Sequence, residues 1–283
     1  MPEQKLLVVN ADDCALHPAV NQAVIEAHQK GILTSCSVLA GGFAFADAVN
    51  QLKKFPSLGV GVHLCVVEQH PVLPPSEIPS LVDKTGSFWR SHSTFVRRYL
   101  LRIVQLNEIR REFFAQVSKI IDSGLKITHM DCHQHLHVLP GIAEIVGDIG
   151  RKFDIRHVRI PRENIAIRAT RSSWTRNLQM LMLNRLAGKT RNLPAMRGLT
   201  SSDYFFGFSC GGNLTEQVWA KLVPLLPSGS TEIMSHPGVN DATLEDATGW
   251  NYHWSSELRA LCSPELKKSL SDHGVRLINY GDL

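Results

Sequence analysis

Between Thr128 and His137 the chain reads T-H-M-D-C-H-Q-H-L-H, with His129, Asp131, His133, His135 and His137 at alternate positions. In an extended segment the side-chain period of two puts all five on one face. Neutral imidazole is the commonest protein ligand for a divalent metal, and a carboxylate joins it where the ion must stay open to water as a Lewis acid. One strand end cannot seat five ligands around one ion. Some of these groups must therefore orient others or touch a substrate, and the remaining ligands must come from elsewhere in the chain.

Three other places supply suitable groups. Asp12 and Asp13 follow the apolar run K-L-L-V-V-N, His63 lies in G-V-H-L, and His236 lies in S-H-P-G. Adjacent carboxylates point apart, so one can ligate a metal while the other stays free as a general base. His236 is suited to protonating a leaving group, and its strand is expected opposite the first strand.

The elements that position these groups alternate from the start. Lys5–Asn10 reads as a buried parallel strand, Pro18–Lys30 as a helix stopped by Gly31, and residues 32–40 and 58–64 as further strands flanking a helix over 43–54. Helices over 93–103 and 108–123 precede the His-rich strand, and a helix over 141–153 and a short strand over 157–160 follow it. Strands over 202–208, 232–235 and 275–279 alternate with helices over 214–226 and 255–270. The pattern predicts a single domain spanning residues 1–283, an α/β chain forming an irregular (β/α) barrel of seven or eight βα units. In such barrels chemistry collects at the C-terminal ends of the strands, where all four polar clusters fall. Residues 65–92 and 240–254 read as loops, the first a lid or substrate wall, the second carrying Trp250, Tyr252 and Trp254. The Arg-rich region 162–197 reads as an amphipathic helix packed on the barrel, with contact to a membrane or lipid as the alternative.

The 283 residues carry a net charge of +4 without a long basic run, which gives no support to nucleic-acid binding. Six scattered cysteines without a C-x-x-C pair read as reduced thiols. No signal peptide and no run of about 20 apolar residues is visible, so the expected location is the cytoplasm, without a transmembrane segment. Peripheral membrane contact and a homodimer remain compatible with the sequence.

Taken together, N-A-D-D at Asn10–Asp13, G-V-H-L at Gly61–Leu64, the T-H-M-D-C-H-Q-H-L-H run and H-P-G at His236–Gly238 resemble the YdjC-like carbohydrate deacetylases, in this order over nearly the whole chain. H-P-V-L-P-P-S-E-I-P-S-L-V-D at His70–Asp83, F-F-G-F-S at Phe205–Ser209 and T-E-I-M-S-H-P at Thr231–Pro237 look closer to the hopanoid-biosynthesis-associated deacetylase branch than to the chitooligosaccharide deacetylases. The resemblance implies one divalent metal ion, Mg²⁺ or Zn²⁺, and removal of an acetyl group from an N-acetylated amino sugar. The substrate would be an N-acetylglucosamine-containing oligosaccharide or a glycolipid such as an N-acetylglucosaminyl hopanoid. It further implies Asp13, His63 and His133 as metal ligands, Asp12 as the base and His236 as the acid. That leaves Asp131, His135 and His137 to orient ligands or contact sugar hydroxyls. Where the family usually has Phe-Gly after the Asp pair this chain has Cys14-Ala15, which leaves open an approach of Cys14 to the metal. The rival readings are a metal-dependent amidohydrolase or phosphoesterase acting on another small substrate, and a sugar- or lipid-binding barrel without turnover.

Overall fold

A computed structural model describes residues 4–163 and 174–283. Its centre is one parallel sheet of eight strands: β1 (Lys5–Cys14), β2 (Ser35–Val38), β3 (Gly59–Leu64), β4 (Ile127–Cys132), β5 (His157–Val158), β6 (Tyr204–Phe206), β7 (Gly229–Ser235) and β8 (Val275–Leu277). Their order is β5-β4-β3-β2-β1-β7-β6, and β8 joins the first residues of β1. β1 pairs with β7 over Lys5–Ala11, while β8 takes Lys5–Leu7 and β2 takes Asn10–Cys14. Isolated parallel bridges from His157 to Thr200 and from Glu163 to Phe205 connect the β5 side to the β6 side. The sheet is therefore curled into an irregular (β/α) barrel, as the alternation predicts.

The burial pattern explains the parallel arrangement. Every residue of β2 and β3 is buried, as are the last eight of β1, because helices cover the sheet on its outer face. These helices are α1 (Pro18–Lys30), α2 (Phe45–Leu52), α3 (His92–Leu100), α4 (Leu106–Asp122), α5 (Ile142–Phe153), α6 (Trp174–Arg191), α7 (Glu216–Leu222), α8 (Asp241–Thr248), α9 (Trp254–Leu261) and α10 (Pro264–Asp272). α1 starts as the sequence implies: Pro18 fills the first turn, and the His17 ring accepts the Ala19 N–H.

Several expectations change. β7 lies directly beside β1, so His236 enters the site from a neighbouring strand and not from across the barrel. The polar stretch 240–254 contains α8, capped by the Asn240 side chain, and 255–270 is divided by the Ser263-Pro264 start of α10. In the Arg-rich region α6 covers Trp174–Arg191, and residues 164–173 lie outside the described residues.

Candidate active site

The His-rich run departs from the period of two at one defined point. β4 ends at Cys132, and Gln134 and His135 then adopt left-handed backbone angles (φ 55° and 54°), turning the chain into a tight helical bend over His133–Val138. Only His129 and Asp131 therefore lie along the strand, and the other three histidines leave in different directions. His129 stacks on Tyr280, ring centres 3.9 Å apart, and its Nε2 is 3.1 Å from Asn10 Oδ1 and 3.2 Å from Ser37 Oγ. A Cβ on Gly61 would stand 2.3 Å from that ring, so the glycine in G-V-H-L makes room for His129. His137 places Nε2 2.8 Å from the Arg159 carbonyl oxygen. The buried His135 packs against Phe205 and Phe208, and its Nδ1 has no hydrogen-bond partner.

The three groups matched to the family's metal ligands do meet. Asp13 Oδ1 is 3.3 Å from His63 Nε2 and 3.0 Å from His133 Nδ1, all three side chains being buried. The other nitrogen of each ring is already engaged: His63 Nδ1 lies 2.8 Å from Asp131 Oδ1, and His133 Nε2 lies 3.0 Å from Glu68 Oε2. Donation to those carboxylates leaves a lone pair on His63 Nε2 and on His133 Nδ1, both facing the same oxygen of Asp13. That oxygen is buried and makes no hydrogen bond. Donor atoms around a tetrahedral ion at about 2.0–2.1 Å stand roughly 3.3–3.4 Å apart, close to these separations. The donor set fits a divalent cation, and β1 bends to supply it: Asp13 itself has φ 61°.

Electrostatics point the same way. Burial would raise the Asp13 pKa, but the His133 and His63 rings hold it well below the usual carboxylate range. Burial would lower both imidazoles. Asp131, Asp12 and Asp13 nevertheless raise His63, and Asp13 and Glu68 raise His133 to about 9. The surroundings thus favour positive charge at this position, which a divalent ion supplies when bound.

Asp12 lines the same pocket but is held differently. Arg159, fully buried, grips both of its oxygens at 2.7 Å, and Asn10 Nδ2 adds a bond of 2.9 Å to Oδ1. Arg159 also lies 2.9 Å from Asp131 Oδ2 and donates from Nε to Glu232 at 2.7 Å. One guanidinium thus serves three buried acids, and burial pushes Glu232 up to about 7 despite Arg159. Near neutral pH Glu232 carries part of a proton, which relieves the excess negative charge.

His236 follows β7, its Nε2 4.0 Å from Asp13 Oδ2. Its backbone N–H donates to Glu257 at 2.6 Å, while its buried Nδ1 has no hydrogen-bond partner. The ring is placed by packing against Tyr252 and Trp254, with centres 5.1 and 6.5 Å away. Trp250 lies over His133 at 5.3 Å, so the aromatic stretch is a wall of the site. The pocket between these groups is also lined by Gln134, His135, Arg176, Phe208, Gly211 and Met234. Cys14, by contrast, turns away from the cluster: its thiol faces Asn21 Oδ1 at 3.6 Å.

Sequence reasoning missed Arg159, Glu68, Glu232 and Glu257. Arg159 had one readable sign, a lone charge in the apolar strand-like run H-V-R-I. Glu68 sits within the long loop after β3, at φ 65°, and only its place in that expected wall was legible.

An Asp/His/His cluster at the C-terminal ends of parallel strands, with a buried acid–arginine network beneath it, defines the class: an α/β barrel with a divalent-metal type of site at its mouth. Comparison with known proteins narrows this. The sequence pattern of the YdjC-like protein family matches residues 6–272, and the chain belongs to that family. It is 30% identical over 278 residues to a carbohydrate deacetylase of Brevibacillus brevis, covering 98% of this chain and 99% of the other. It is 29% identical over 285 residues to a chitooligosaccharide deacetylase of an Enterobacter species, covering 99% of each. The crystal structure of a putative cellobiose-phosphate cleavage protein from Enterococcus faecalis superposes with a TM-score of 0.78 at 27% identity, covering 99% of this chain and 98% of that one.

Proposed function

We propose that the protein hydrolyses the N-acetyl group of an acetylated amino sugar, releasing acetate, with one divalent metal ion bound by Asp13, His63 and His133. The observation that carries the reading is the buried Asp13 Oδ1 within 3.3 Å of a ring nitrogen of both His63 and His133, beside an aspartate pinned by Arg159. The names of the relatives support a carbohydrate substrate.

When bound, the cation supplies Lewis acidity toward the acyl oxygen and makes water a stronger nucleophile at neutral pH. The protein supplies orientation and proton traffic. Asp131 and Glu68 hold the outer nitrogens of His63 and His133, so that with a cation bound both rings would turn lone pairs and not protons toward it. Asp12 is the base that takes a proton from the attacking water. Its Oδ1 already accepts from Asn10 and Arg159, whereas Oδ2 accepts only from Arg159 and keeps capacity for that proton. His236, on the opposite side of Asp13 Oδ2, gives a proton to the departing amine nitrogen. His135, which lines the pocket, and the Trp250–Tyr252 wall contact the sugar. His137 acts at a distance by holding the backbone of Arg159.

The two-metal rival would need a second ion. Asp12, His63 and Asp131 form the second close group of ligand-type atoms among the described residues. There, however, Arg159 already touches both aspartates, and a cation would meet its guanidinium charge. One ion per chain is therefore expected.

Acetate release from N-acetylglucosamine, chitobiose and a glycolipid headgroup, with and without chelator and with Zn²⁺ or Mg²⁺ restored, tests the reading. Release that stops on chelation and returns with one equivalent of metal supports it and selects between oligosaccharide and glycolipid. A metal-loaded protein that releases no acetate from any of them, or that needs two ions, overturns it.

A further inference from the structure

Two surface patches share a composition unlike the rest of the chain. The first is the end of α3 and the turn into α4, where Leu100 and Leu101 are 71% and 64% exposed and Ile103 and Leu106 are also exposed. The second is the outer face of α6, where Trp174 is 76% and Met182 58% exposed, with Leu178 and Leu181 beside them. Spacings of four and of three or four residues put Trp174, Leu178 and Leu181–Met182 along one stripe. Exposed Arg185 and Lys189 continue it, and a groove beside it is lined by Arg162, Arg185, Lys189 and Arg191. Around the first patch lie Arg97, Arg98 and Arg102.

Neither segment contains an acidic residue, from Arg90 to Asn107 or from Trp174 to Arg191, although the whole chain has 26. Of the two carboxylates in the α6 groove, Glu163 accepts the Ser209 N–H, and Asp203 accepts from Ser230 and offsets part of the Arg191 charge. Each segment therefore offers exposed apolar side chains accompanied by cations and no acid of its own, Asp203 and Glu144 being carboxylates that neighbouring elements bring near.

The helices that carry the two patches are both bonded to the chain segment that leaves the active site. Thr190 of α6 donates to the Val138 carbonyl at 3.3 Å, and Tyr99 of α3 donates to the Pro140 carbonyl at 2.5 Å. Val138 to Pro140 directly continue the bend that carries His133, His135 and His137. At its other end α6 places Arg176 in the wall of the catalytic pocket.

We propose that these two patches form one docking face for an anionic lipid bilayer, beside the mouth of the barrel. Separated apolar tips suit a bilayer, which accepts each one independently, whereas a folded partner must match both shapes at once. The cations then sit at the level of the lipid phosphates, with the stems of Arg and Lys lying along apolar surface. A two-fold contact between copies through this face would bring the same cation-rich surface against itself, and like charges disfavour it. The inference does not depend on the deacetylation reading, since it concerns binding alone.

Vesicle flotation of the full chain tests it, comparing neutral phosphatidylcholine vesicles with vesicles that also contain phosphatidylglycerol. The expected result is flotation with the anionic vesicles only, weakened by salt. Joint replacement Arg185→Gln and Lys189→Gln should reduce partitioning by about fivefold per cation. Joint replacement Leu100→Ser and Leu101→Ser should reduce it by about tenfold or more. All four positions are exposed, so circular dichroism should show folded variants. Failure of the unmodified chain to float with anionic vesicles overturns the proposal, as does flotation that neither pair alters. A dimer in sedimentation equilibrium that the leucine pair dissolves would also overturn it, by showing that a second copy covers the face.

Discussion

The two walls of the candidate site are built by different means. On the wall formed by β1, β3 and β4, nearly every functional group has a charged partner: His63 has Asp131, His133 has Glu68, and Asp12 and Asp131 share Arg159. On the β7 wall, His236 is placed by aromatic packing and by a bond to its backbone, and its Nδ1 has no partner. The difference matches the tasks proposed for them. Metal ligands and a base must hold their positions, while a proton donor must follow a nitrogen whose charge and position change during the reaction.

Removing the functional groups one at a time should separate the walls most strongly. Asp12→Asn should lower kcat for acetate release by about 10²–10⁴, with metal content unchanged by elemental analysis. His236→Gln should lose a similar factor on an N-acetyl sugar but little on p-nitrophenyl acetate, whose leaving group departs without a proton. Equal losses on both substrates would contradict the acid role.

Stability should divide the walls next. Arg159→Leu strands buried carboxylates from β1, β4 and β7 and should cost about 3–5 kcal/mol in denaturant unfolding. A loss below about 1 kcal/mol would show that the network relaxes by taking up protons instead. Smaller effects are expected from the groups that orient the ligands. Asp131→Asn or Glu68→Gln should weaken metal affinity by about 10–100-fold in calorimetric titration. Glu257→Gln, behind His236, should leave that affinity unchanged.

A further contrast is with pH. Burial, the leading cause, lowers His129 to about 3 and His137 to about 4. Both lie on the charged wall. The unfolded chain, with histidines near 6.5, binds more protons between those values, so this contribution is complete above about pH 6.5 and is lost as the pH falls. Each histidine should cost roughly 1.4 kcal/mol per pH unit within its window, seen as acid-dependent unfolding. His137→Asn should flatten the slope.

How much of this could be read in the sequence follows from how local each signal is. The Asp12–Asp13 pair, His63 and the His-rich run were legible because each ends a β-type run, where barrel chemistry gathers, whereas the choice of Asp13 and of His133 came from the family resemblance. The alternation of strands and helices was legible from Pro18, Gly31 and the apolar runs. The Asn240 cap of α8 and the Ser263-Pro264 start of α10 were equally local signals that the reading passed over. The bend after Cys132 was not legible, because its left-handed residues are Gln134 and His135 and not glycine. Neither was the place of His236: sequence order does not disclose that the seventh strand lies beside the first. Arg159 was hidden for the same reason, since its partners are decided only by strand order.

That arginine also bears on how the protein comes to be active. It joins Asp12, 147 residues earlier in the chain, to Glu232, 73 residues later. Contacts so distant in sequence form late, after the cost of closing long loops has been met. The base should therefore be seated only once the first, fourth, fifth and seventh strands have come together, and a nascent or partly folded chain should have no hydrolytic activity. In stopped-flow experiments Arg159→Leu should accelerate unfolding and leave the refolding rate nearly unchanged. Recovery of activity should coincide with the slowest refolding phase.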